Sequence, residues 1–144
     1  MDRDSIKKKI FEFLNNNELG VISTIHSHKN APESAVVGFG NNDSLELIFG
    51  TSGNSRKYRN IQQNFNISFV IGWSSETGTI QYEGIAKELT QKEAQEYIPL
   101  LVKKNLDNAS YINKPDQRYF LVKPVWIRFY DNAGNPPEIH EITF

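Results

Sequence analysis

The chain has 144 residues, with 16 lysines and arginines against 17 aspartates and glutamates and no cysteine. That length suits a single domain over 1–144 with a core of its own, and the missing cysteines exclude disulfides, thiolate nucleophiles and cysteine-ligated zinc. A net charge of −1 gives no general attraction to a polyanion, so nucleic acid is not an expected partner.

The first residues carry charges with no apolar run behind them, and no apolar stretch is long enough to span a bilayer, so no membrane association and a cytoplasmic, reducing location are expected. Asp4 or Ser5 can cap a helix in which Ile6, Ile10, Phe13 and Leu14 recur at three-to-four spacing, and Asn15-Asn16-Asn17 stops it. From Leu19 the period drops to two. A turn at Ser27-His28-Lys29-Asn30 then leads into an extended segment over 32–39, which predicts a hairpin. His26 and His28 straddle that turn instead of sharing a strand face, so no metal site is expected.

Asn41 to Ser44 form a second turn before a strand over 45–49, and segments 67–71 and 79–89 read as further strands. Thr90-Gln91-Lys92-Glu93 has the form of a capping box and opens a helix reaching 101–105, which Pro99 should bend or break. Segments 119–122, 125–130 and 139–144 close the chain as strands, with a hairpin turn at Asn132-Ala133-Gly134-Asn135. Glu83, Glu88 and the Lys103-Lys104 pair read as solvated faces. So many short-connected strands predict a mainly β fold, an antiparallel barrel of six to seven strands with a few helices.

The segment IFGTSGNSRKYRNIQQN, residues 48–64, hands a strand over to a helix. Ser55 is a good N-cap, and Tyr58, Ile61 and Phe65 form one stripe, with Arg56, Arg59, Asn60 and Gln63 away from it. Cations in a first turn oppose the helix dipole by roughly 0.3–1 kcal/mol unless an anion reverses the sign. Two readings fit: a phosphate cradle of free N–H groups, the Ser55 hydroxyl, Arg56 and Lys57, or an incidentally basic exposed turn. Gly50 and Gly53 permit close backbone approach in the first. The spacing is not that of a Walker A loop, and Gly38-Phe39-Gly40 lacks the third glycine of a dinucleotide fingerprint.

Extended to IFGTSGNSRKYRNIQQNFNISFVIGW, the segment resembles the flavin-phosphate region of the pyridoxamine 5′-phosphate oxidase-like, FMN-binding split-barrel superfamily. LGVISTIHSHKNAPESAVVGF resembles its first hairpin, TIQYEGIAKELTQKEAQEY its next strand and helix, and YFLVKPVWIRFYD its closing strands, so nearly the whole chain is covered. The resemblance implies an FMN-binding split barrel with the FMN phosphate held by Ser55, Arg56 and Lys57. It sets Gly50 and Thr51 beside the ribityl chain or ring edge, Ala35, Val36 and Val37 along the isoalloxazine, and the flavin at a homodimer interface. Ala35 stands where the oxidases carry an arginine, and Thr79 where they carry a flavin-contacting glutamine. Their Arg-X-His grip on pyridoxal phosphate has no counterpart in NPPEIHEITF, so a short general-stress-protein-like member is implied in place of a vitamin B6 oxidase. Ser34 and Thr79 are candidate hydrogen-bond partners of the ring or ordinary strand positions, and Trp73 and Trp126 wall it off or serve packing. The implied activity is an FMN-dependent oxidoreductase of a small molecule with a nicotinamide or other donor. The alternative is a non-catalytic carrier of flavin, the deazaflavin F420 or haem. No residue is singled out as catalytic.

Overall fold

The computed structural model describes residues 1–112 and 114–144, and the side chains of all of these except 106 and 107. Helix α1 (Arg3–Asn15) starts two or three residues earlier than the sequence suggests: Asp2 is the cap, its carboxylate accepting the Ser5 N–H at 2.8 Å. Asp4 then falls in the first turn, where its charge favours the helix dipole. Strands β1 (Leu19–His26) and β2 (Ala31–Gly38) form the expected hairpin, running from Leu19↔Gly38 to His26↔Ala31.

The strand expected from residue 45 begins two residues later. Leu45 is buried with φ 62, and Asn42 folds the segment by accepting the N–H groups of Ser44 and Glu46 on its side-chain oxygen. This turn leaves β3 (Gly40–Asn41) as a two-residue strand against β4 (Leu47–Ser52). Helix α2 (Arg56–Gln63) follows, then β5 (Asn66–Ser74), β6 (Gly78–Glu88) and helix α3 (Gln91–Lys104), which opens on the expected capping box of Thr90 and Glu93. A 3-10 segment (Leu106–Tyr111) leads to β7 (Gln117–Asp131) and β8 (Glu138–Thr143).

All pairings are antiparallel, in the order β2-β1-β5-β6-β7-β4-β3, with β8 also on β7. The two closing segments expected over 119–130 are one strand. Its first half pairs with β4 and its second with β8, so β7 is where the sheet divides. Pro124 does not end it, because Val125 is an extra residue between the pairs Gly84↔Pro124 and Glu83↔Trp126, and a bulge tolerates a missing N–H. The sheet curls on an interior of alternating buried residues in which the Phe49 ring lies 5.3 Å from Phe120 and 5.9 Å from Phe69, with Phe69 6.2 Å from Tyr82. Among the described residues, no helix is long and apolar enough to cross a membrane.

Two other expectations change. Helix α3 runs through Pro99 unbroken; both Pro99 and Gln95 are exposed, so the carbonyl that loses its N–H partner faces water. Lys104 is not a solvated charge. Its ammonium donates to the carbonyls of Leu14 and Asn17, 2.7 Å each, at the end of α1, and sits 3.7 Å from the Phe39 ring centre; burial pulls its pKa down to about 7. Glu88 is likewise engaged, accepting the Tyr58 hydroxyl at 2.6 Å and the Gln62 amide at 3.1 Å.

Close packing fixes where α3 lies. A Cβ on Gly40 would stand 2.6 Å from the Leu100 carbonyl carbon and 2.9 Å from Ile48 Cγ2. Gly40→Ala is therefore expected to destabilise the fold by about 1–3 kcal/mol, seen as a lower urea midpoint with an unchanged m-value.

Candidate functional site

Where β4 hands over to α2, Thr51 is buried and its hydroxyl lies 2.8 Å from that of Ser55, which caps α2 by accepting the Tyr58 N–H at 3.1 Å. The N–H groups of Arg56 and Lys57, at the open first turn, have no hydrogen-bond partner among the described residues. The turn between is tied to the start of β7. Gly53 N–H donates to the Asp116 carbonyl at 2.8 Å, and the Ser52 hydroxyl and Asn54 amide donate to the Asp116 carboxylate.

Helix α2 is held from both sides. Asn60, expected off the apolar stripe, is buried: its amide donates to Thr24 Oγ1 at 2.9 Å on β1 and to Glu33 Oε1 at 2.8 Å on β2. The stripe is completed by this polar bridge instead of by Phe65, which lies beyond the helix and is exposed. On the other side Tyr58 reaches Glu88 on β6, and that hydrogen bond raises the tyrosine pKa above its usual 10.0.

A cavity of about 690 Å³ opens beside the helix start, walled by Val36 and Val37 of β2, Gly50 and Thr51 of β4, Ser55 and Lys57, and apolar residues of α3. A smaller recess of about 130 Å³ adjoins it and is lined by Ser34, Ala35, Glu33, Arg56 and Lys57. Of the candidate flavin-site residues named from the sequence, nine thus line one or other of two spaces that share Lys57: Ser34, Ala35, Val36, Val37, Gly50, Thr51, Ser55, Arg56 and Lys57. Thr79 lines neither; its hydroxyl donates to the Ile71 carbonyl at 3.3 Å. Ser34 lies 2.9 Å from the Ser23 hydroxyl, Trp73 is exposed, and Trp126 pairs with Glu83 and Thr143.

The two cations differ. Lys57 is half-buried, its pKa lies below the usual 10.5 because burial disfavours the charge, and it has no ion pair or hydrogen bond among the described residues. The Arg56 side chain is 65% exposed and 3.1 Å from the Glu33 carboxylate. Glu33 is held below the usual carboxylate range, first by the Asn60 amide and then by Arg56.

Gln117 and Tyr119 also line the large cavity and carry no local signal; only the pairings Ser52↔Gln117 and Gly50↔Tyr119 bring them in. Gly50 makes their position possible, since a Cβ there would meet Gln117 Nε2 at 2.5 Å and Tyr119 Cε1 at 2.9 Å. The result is a slot with apolar walls, a tyrosine ring, and an unpaired ammonium beside two free N–H groups at one end. Such a space suits a flat organic ring bearing an anion.

The family described as pyridoxamine 5′-phosphate oxidase matches residues 6–131. No curated protein matches the sequence significantly. Among solved structures, the General Stress Protein 26 of Bacillus anthracis is similar at 22% identity and TM-score 0.72, covering 95% of this chain and 98% of that one. A heme binding protein from Mycobacterium smegmatis is similar at 15% identity and TM-score 0.82, covering 99% of this chain and 60% of its own. The heme storage protein HutZ from Vibrio cholerae is similar at 15% identity and TM-score 0.68, with 83% and 89% covered. At these identities the likeness is one of fold.

The Glu33 contacts have a pH consequence with a definite sign. A carboxyl whose pKa is lowered on folding stabilises the fold above its unfolded pKa, near 4.5, and that contribution is lost as pH falls through the folded value. The stability difference between wild type and Glu33→Gln is expected to be constant at neutral pH and to shrink below about pH 4.5, as read by urea melts across the acid range.

Proposed function

We propose, from the premise that this chain belongs to the pyridoxamine 5′-phosphate oxidase family, that it binds FMN in the 690 Å³ cavity and acts as a flavin-dependent oxidoreductase on a small molecule. The observation that carries this reading is Lys57, an unpaired half-buried cation beside the free N–H groups of Arg56 and Lys57. A phosphate would offset the burial of that charge and reverse the sign of the first-turn electrostatics. In this reading Lys57, Ser55 and the two N–H groups hold the phosphate, with Arg56 drawn from Glu33, while Val36, Val37, Gly50 and Thr51 flank the ring. Bound flavin would supply the hydride or electron transfer, and the protein's part is to hold the ring, shield it and admit the substrate.

Two neighbours in fold are a heme binding and a heme storage protein, which makes haem the second reading. Lys57 and the free N–H groups at one end of the large cavity suit a phosphate, which haem lacks, and this favours flavin, although Tyr111 and Tyr119 of the lining are of a residue type that can ligate haem iron. Val36, Val21 and Val70 stand in one row across β2, β1 and β5, with Val36 62% and Val70 42% exposed. Val36 also lines the cavity. We take this apolar row as the face that pairs with a second copy, with the flavin at the seam.

Titration with FMN and riboflavin tests the reading, with absorbance separating flavin from haem. Lys57→Ala is expected to weaken FMN binding more than tenfold and riboflavin binding little, because a charge-assisted contact is worth about 1.5–3 kcal/mol; equal loss of both would remove the phosphate assignment. FMN affinity of the wild type should fall as pH rises through the lowered Lys57 pKa, earlier than an unperturbed lysine at 10.5 would allow. Val36→Asp is expected to yield monomers by light scattering and weaker FMN binding; a retained dimer would contradict the assigned face.

A further inference from the structure

A third space lies outside the proposed flavin site. Between the β1–β2 turn and the outer face of α2 there is a recess of about 500 Å³ lined by His26, His28 and Lys29 on one side and Arg56, Arg59 and Gln63 on the other. Three basic side chains, Lys29, Arg56 and Arg59, line it with a single carboxylate, Glu33, in a chain whose acidic residues outnumber its basic ones, and with Arg56 given to the flavin phosphate Lys29 and Arg59 are the two left to this recess. That carboxylate is already engaged by Asn60 and Arg56. Lys29 has no ion pair among the described residues, and Arg59 spends one nitrogen on the Asn54 carbonyl at 3.1 Å, leaving its other donors free. His26 accepts the Lys29 N–H on Nδ1 at 3.2 Å, so in the neutral ring the proton is on Nε2 and that nitrogen donates. The His28 ring stands edge-on to it at 6.0 Å.

We propose that this recess is a second anion site, taking a phosphate group of a phosphorylated small molecule. The charges come from two segments far apart in sequence that the Thr24–Asn60–Glu33 bridge holds together, so they form a cluster instead of one basic run. Donors outnumber acceptors, and guanidinium geometry matches phosphate oxygens. The volume is that of a small-molecule site, with room for a sugar beyond the phosphate. Arg56 lines both this recess and the small one at Lys57. The phosphate therefore has two sources of the same chemistry: the outer half of a dinucleotide whose inner phosphate lies at Lys57, or a separate phosphorylated ligand.

Calorimetric titration at fixed ionic strength with inorganic pyrophosphate tests the site on wild type, Lys29→Ala/Arg59→Ala and Lys57→Ala, each with and without saturating FMN. The expected result is pyrophosphate binding to the FMN-saturated protein that falls at least tenfold in the double variant, with FMN affinity changed less than twofold. FAD binding tighter than FMN, and losing that advantage in the double variant, assigns the phosphate to a dinucleotide; equal FAD and FMN affinity assigns it to a separate ligand. Absent pyrophosphate binding, or binding the double variant does not weaken, overturns the proposal. Should no flavin bind, titration of the Lys57→Ala protein reads the recess by itself, so the two readings fail separately. The single variant Lys29→Gln, at an exposed position, gives the same readout if the double variant melts early.

Discussion

The contact of Phe49 with both Phe69 and Phe120 sets the shape on which the site depends. Strands β4 and β5 are separated in the sheet by β6 and β7, yet the Phe49 and Phe69 rings are 5.9 Å apart. Only a sheet curled on itself brings them together. Aromatic pairs at such distances add about 0.5–1.5 kcal/mol beyond the area they bury, and the interior here is a chain of them. Because Phe49 precedes Gly50 and Thr51, the ring that closes the interior also fixes the strand end that walls the cavity. The curl in turn brings β4 close to β2 without a hydrogen-bonded ladder between them, and the cavity occupies that gap.

Electrostatics in the gap are unequal by design of burial. Lys57 is taken partly out of water with no ion pair among the described residues, a state that favours deprotonation or an anion. Arg56, largely in solvent, pairs with Glu33, and exposed pairs of this kind contribute little, so the guanidinium is available to a stronger acceptor. The carboxylate beside Arg56 and the free N–H groups looks out of place until Asn60 is considered. Its amide ties Glu33 to Thr24 and makes the acid a structural anchor for α2. One side chain thereby fixes the helix whose first turn carries the free N–H groups.

Much of this was legible in the residues. Period-two segments, turn residues and the capping box gave the strands and helices because each rests on local chemistry, and the Ser55 cap followed from the same rules. The family pattern marked the handover at 50–57. What stayed hidden was non-local. Nothing near Gln117 or Tyr119 announces that register will set them beside Gly50, and the burial of Asn60 and Lys104 needs partners 36 and 90 residues away. Asp2, Asp4 and Ser5 all satisfy the same local capping rule, so the cap is not settled by residue type, and Pro99 reads as a breaker only while its solvent exposure is unknown.

Helix α3 shows how these hidden contacts reach the site. Its Leu101 and Val102 face the cavity, but what anchors it lies on the far side: Lys104 on the carbonyls of Leu14 and Asn17 where α1 ends, and the close approach of Leu100 to Gly40. A half-buried ammonium satisfied by two carbonyls and a phenyl face holds one orientation, where an apolar contact would permit sliding. The cavity wall is thus set from behind, by groups no ligand touches. The opposite rim, at Val36, is open to solvent and continuous with the valine row on β1 and β5. The cavity is thus fixed at its back and open at its front, so that covering the Val36 rim would leave the wall behind it undisturbed.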